Sequence, residues 1–110
     1  MAYDEKLGNR VRAHVEHEPG LTEKRMFGGL AFMINGHMAV SVGSKGGLLL
    51  RVNPTETESL VSEPHVGRFV MRNREMNGWL RVDPPAFPTD EELHRWVRIG
   101  VNCARSLPPK

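Results

Sequence analysis

A chain of 110 residues with 39% hydrophobic and 25% charged residues is long enough to bury one core without disulfides, and too apolar to stay disordered. With 15 basic residues against 13 acidic ones, net charge +2, bulk charge gives no case for a nucleic-acid or membrane-surface protein. No apolar run approaches the roughly 20 residues that span a bilayer, no basic stretch followed by an apolar one opens the chain, and the single cysteine, Cys103, excludes an internal disulfide. A single domain over residues 1–110 in a reducing cytoplasm is expected.

The first predicted element is a helix from about Asp4 to about His17, with Leu7, Val11 and Val15 at helical spacing and Pro19-Gly20 as its stop. A strand is expected over Lys24–Ile34, then an Asn35-Gly36 turn, then a strand over His37–Val42; Asn-Gly between two apolar runs is a strong hairpin signal. A two-residue turn pairs Ile34 with His37, Met33 with Met38, Phe32 with Ala39 and Ala31 with Val40. One face then holds Leu30, Phe32, Ile34 and Ala39; the other holds Phe27, Ala31, Met33, Met38, Val40 and Val42. A Gly-rich loop over residues 43–47 leads into a third strand, Leu48–Val52. Asn53-Pro54 opens a short helix that ends at Glu63-Pro64. Strands Arg68–Arg72 and Trp79–Val82 follow. Thr89-Asp90-Glu91-Glu92 then forms the capping box of a last helix running to about Ser106. The order α-β-β-β-α-β-β-α implies an α+β domain with an antiparallel sheet of about five strands and helices mainly on one face. Phe32, Val40, Leu50, Trp96 and Val101 are expected in the core.

Candidate chemistry is sparse. Residues 43–47 lack the spacing and the following helix of a phosphate loop, and Gly28-Gly29 lacks the dinucleotide fingerprint; glycines within a strand mark a bend or a close backbone approach. His14 and His17 share a helix face, but no Cys pair or facing carboxylate completes a metal site, so neither a metal nor a cofactor is expected. Cys103 sits at the C-terminal end of a helix, the wrong end to activate a thiol. Arg68, Arg72, Arg74 and Arg81 with Trp79 form the densest basic group. On paired strands they would make an Arg-Trp surface able to meet phosphates or stack on a base, or else pair with Glu75 and Asp83. The second hairpin face, Phe27, Met33, Met38, Val40 and Val42, is an apolar patch suited to a homodimer contact.

The block Arg25-Met26-Phe27-Gly28-Gly29-Leu30-Ala31-Phe32 is followed by Gly36-His37-Met38 and by the strand Leu48–Val52. Gly78-Trp79 and a closing helix carrying Leu93, Trp96, Val97 and Ala104 complete a pattern that resembles the N-terminal domain of the TfoX (Sxy) competence-regulator family. The resemblance covers nearly the whole chain, and Met26-Phe27-Gly28-Gly29 is its most specific part. It implies a secretion-chaperone-like α+β fold and no catalytic residues. It also implies a regulator of DNA-uptake genes that assists a transcription activator, the cyclic-AMP receptor protein. The expected function is therefore a non-enzymatic interaction module, an accessory transcriptional regulator acting through protein contact. Direct nucleic-acid binding and small-ligand binding are the alternatives.

Overall fold

The computed structural model describes residues 5–26, 29–43, 47–71 and 73–108, without the side chains of residues 26, 71 and 75–77. Helix α1 (Glu5–Val15) leads into strands β1 (Leu21–Met26), β2 (Gly29–Ile34), β3 (His37–Val42) and β4 (Leu48–Arg51). A 3-10 turn over Pro54–Glu56 and the short helix α2 (Thr57–Val61) follow, then β5 (Val66–Met71), β6 (Arg74–Val82) and the long helix α3 (Asp90–Ser106). The six strands form one antiparallel sheet in the order β1-β2-β3-β4-β6-β5. The α+β class and the antiparallel sheet match the expectation from sequence. The strand count is six because the stretch expected as one strand, Lys24–Ile34, is two strands, β1 and β2.

Strand β1 hides its nature in its composition. Its register with β2 places Leu21, Glu23 and Arg25 opposite Ile34, Phe32 and Leu30, on the side covered by the helices. At the sheet edge a charged side chain can occupy such a position by reaching a helix. Arg12 of α1 clasps Glu23 through two bonds of 2.7 and 2.8 Å while lying over the Phe32 ring. Charges on both faces also protect this edge from pairing with another strand.

The expected β2–β3 turn is present, with Asn35 and Gly36 at φ 52° and 87°. The expected register holds for only two pairs, Ile34 with His37 and Met33 with Met38; beyond them Phe32 pairs with Val40, Ala31 with Ser41 and Leu30 with Val42. Ala39 is the extra residue of a β-bulge, and it reverses the phase of the rest of β3. Val40 and Val42, assigned from sequence to the second hairpin face, therefore lie with Leu30 and Phe32 in the core, fully buried. Their burial removes them from the expected dimer patch.

The core joins Leu7, Val11 and Val15 of α1 and Leu93, Trp96, Val97, Val101 and Ala104 of α3 to this one face of the sheet. All five expected core residues are in it, each no more than 1% exposed. Helix α3 comes close to β3 and β4 at Gly100, where an added Cβ would collide with the Ala39 carbonyl group. The bulge and the helix glycine therefore fit one another. A second irregularity lies between β5 and β6. Arg68 pairs with Leu80 but Phe69 with Met76, so Asn77–Trp79 have no partners on β5. There Gly78 takes φ 86°, donates its N–H to the buried Thr57 hydroxyl at 3.0 Å and accepts from Val52 N–H at 2.9 Å.

Three glutamates tie the helical layer together. Glu18 binds Arg98 at 2.7 Å and Arg105 at 2.5 Å, Glu23 binds Arg12, and Glu63 binds Arg95 at 2.6 and 3.0 Å. The hydrogen bond from Arg105, Arg12 or Arg95 respectively is the main cause that holds each carboxyl below its ordinary value of 4.5. A carboxyl whose folded pKa is depressed contributes stability above its unfolded pKa and loses it as pH falls through the folded value. Melting temperature should therefore be flat above about pH 5.5 and decline progressively below about 4.5. Each pair is partly exposed and worth at most about 1 kcal/mol, so the decline is gradual. Glu18→Gln should flatten it in a thermal-melt series across pH; an unchanged slope would mean that the paired arginines do not set the acid limit.

Candidate functional site

With the helices on one side, the other face of the sheet is built from alternate residues of each strand. A single row of cross-strand neighbours runs over all six strands: Lys24, Ala31, Ser41, Leu49, Arg81 and Gly67. Beside it lie the facing pairs Met33–Met38 and Arg51–Trp79. Ala31 and Ser41 are buried, Met33, Met38, Leu49, Arg51 and Trp79 are half-buried, and Lys24 and Arg81 are exposed. The Arg51 guanidinium lies over the Trp79 ring, 5.1 Å from its centre, and Arg81 Nε meets Asp83 Oδ1 at 3.3 Å. The result is an apolar and small-residue floor with cations toward both ends of the row. Ser41 is only 8% exposed, and among the described residues no hydrogen bond to its hydroxyl is found.

The basic group read from sequence is divided by the strand phases. Arg68 opposes Leu80 and so sits on the helix side, while Trp79 and Arg81 sit on the open face. The excursion at Asn77–Trp79 breaks the alternation that would have aligned them. Arg74 is exposed near the tip of the β5–β6 hairpin, opposite Met71, and Arg72 lies outside the described residues. Of the second-face patch, Met33 and Met38 are on the open face as expected; Phe27, with Gly28, lies outside the described residues, as does the side chain of Met26. Gly29 is buried, and an added Cβ there would stand 2.5 Å from the Val42 carbonyl oxygen. The close approach at the end of this block is therefore with β3 of the same domain. Sequence reasoning missed Leu49, Arg51 and Lys24. The uniform run Leu48-Leu49-Leu50 hides which leucine faces outward, and Lys24 was read within a longer strand.

The helix side offers little chemistry. His14 and His94 meet at 3.3 Å between their Nδ1 atoms, and burial is the main cause that lowers the His14 pKa from 6.5. Half-buried Cys103 has its thiol pushed up by burial, away from a reactive thiolate. A cleft of about 410 Å³ beside Glu63, His65 and Arg95 has its cation already held by Glu63. Among the described residues no group of three or more His, Cys, Asp or Glu side chains is placed to hold a metal, and no helix is long and apolar enough to cross a membrane.

A family model described as the TfoX N-terminal domain matches residues 13–104, which runs from the last turn of α1 to the last turn of α3 and takes in every element between them. No curated protein and no solved structure matches the chain.

Proposed function

Because the chain belongs to the TfoX N-terminal domain family, we propose that it is a non-enzymatic interaction module, an accessory regulator of transcription that works in the cytoplasm through protein contact. The contact surface is the open face of the sheet. The observation that carries this reading is the half-buried set Met33, Met38, Leu49 and Trp79 on a face that the helices leave uncovered. Apolar residues gathered on one open face mark an interface, and methionine adapts to a partner's shape. The cations give less support to direct nucleic-acid binding, since Arg68 leaves the sheet on the side opposite Trp79 and Arg81.

The test is binding of the purified domain to the cyclic-AMP receptor protein of the same cell, by biolayer interferometry with and without promoter DNA. Leu49→Glu and Met38→Glu each place a charge on the open face, away from the core, and should keep the melting temperature within a few degrees. Each should weaken binding about tenfold or more, some 1.4 kcal/mol. Binding insensitive to both variants, or binding to DNA alone with equal strength, would overturn the reading.

A further inference from the structure

Resting on the open face as the contact surface, we propose that its occupant is an acidic amphipathic helix of a partner protein, laid across the strands along the row from Lys24 to Arg81. Its apolar side chains pack on Met33, Met38 and Leu49. Its carboxylates meet Lys24 at one end and the Arg51–Arg81 side at the other, and a polar group reaches the Ser41 hydroxyl.

Three observations converge on this occupant. The first is charge. The stretch of the row from Lys24 to Arg81 has a cation at each end and small or apolar residues between them, and Arg51 stands beside its second end. The second is Ser41, the one polar side chain at the middle of this small and apolar stretch, in a residue 8% exposed overall and with no hydrogen bond to its hydroxyl among the described residues. A hydroxyl can both donate and accept, so it offers a polar group on the partner a fixed point on this floor. The third is backbone accounting. The strands have spent their own backbone groups on each other, so a chain lying flat on this face finds no backbone partners below it. A helix satisfies its backbone internally and can lie on such a floor.

Geometry sets the spacing. Lys24 and Arg81 are four strand steps apart, about 19 Å at roughly 4.8 Å per step. A helix covers that distance in about 13 residues, so the acidic groups belong near the two ends of a three-to-four-turn segment.

A second copy of this chain is the competing occupant, and the charges disfavour it. Turning one sheet onto another about an axis along the row sets Lys24 on Lys24 and Arg81 on Arg81. Turning it about an axis along the strands sets Lys24 against the Arg81 end. Asp83, the carboxylate beside the row, is already held by Arg81. Like charges facing one another across an interface are unfavourable, whereas carboxylates on the partner are complementary.

The experiment uses three synthetic helical peptides of one apolar stripe, with Glu, Gln or Lys at the two ends, titrated into the domain carrying 13C-methyl methionine. The Glu peptide is expected to bind about tenfold more tightly than the Gln peptide and the Lys peptide more weakly still, with a preference that fades as salt rises. Saturable shifts should fall on Met33 and Met38. The double variant Lys24→Glu/Arg81→Glu should invert the order of the peptides while keeping the melting temperature. Equal binding of all three peptides, shifts elsewhere, or a dimer in sedimentation equilibrium that protects both methionines would each overturn the acidic-helix occupant. The wider reading fails separately. If the receptor protein binds in a Leu49-dependent way while the peptides show no charge preference, only the acidic chemistry is wrong; if Leu49→Glu alters neither interaction, the open face is not the contact surface.

Discussion

Gly100→Ala should destabilise the domain by about 2–3 kcal/mol and lower its melting temperature by roughly 10–20 °C. The sign is opposite to the usual one. In a helix interior alanine ordinarily gains about 1 kcal/mol over glycine. Here the added Cβ would press into the Ala39 carbonyl group. A backbone carbonyl within a strand cannot rotate aside, so α3 must lift from β3 and β4 and the contacts of Val97, Val101 and Ala104 loosen with it. A thermal melt reads the effect directly. An unchanged or raised melting temperature would mean that α3 does not approach the sheet at the Ala39 bulge.

The largest single loss is expected at Trp96. Its ring is 1% exposed, its Nε1–H donates to the Ala86 carbonyl at 3.2 Å, and the Arg95 guanidinium lies 4.5 Å from its ring centre. Trp96→Ala empties the largest buried side chain of the core and leaves a carbonyl without its donor, a loss of about 3–5 kcal/mol. A domain of this size has about 5–15 kcal/mol in total, so the variant should unfold at a much lower urea concentration, with Trp79 remaining as the fluorescent probe. Trp96→Phe keeps most of the volume and should lose far less. Equal midpoints for wild type and Trp96→Ala would remove Trp96 from the core.

What the sequence made legible was local. Asn35-Gly36 announces its turn because both residues must take positive φ, and Thr89 announces α3 because its hydroxyl accepts from the Glu92 N–H, at 3.3 Å. Asn53 does the same for the turn at Pro54 by accepting from the Thr55 N–H. What the sequence hid was phase between neighbours. One extra residue at Ala39 carries no compositional mark, yet it moves Val40 and Val42 from one face of the sheet to the other. The alternation did hold a trace of it: Val40, Ser41 and Val42 repeat the large-small-large pattern of Leu30, Ala31 and Phe32, and the fold pairs the two patterns in phase. The excursion at Asn77–Trp79 separated Arg68 from Arg81 in the same way, and it depends on Thr57 and Val52, which are distant in sequence. The candidate site was therefore half legible. Met33 and Met38 were found by a register that holds next to the turn, and the cationic ends of the row appear only when six strands are set side by side.

The most direct test of a protein-contact module working through its open sheet face is a methyl NMR titration of the domain, labelled at methionine and valine, with the cyclic-AMP receptor protein. The predicted result is saturable shift or broadening of the Met33 and Met38 methyls, with the Val40 and Val42 methyls, buried on the helix side, little changed. Binding at saturation that leaves Met33 and Met38 unmoved, or that moves Val40 and Val42 in their place, would contradict the assignment of the contact to this face.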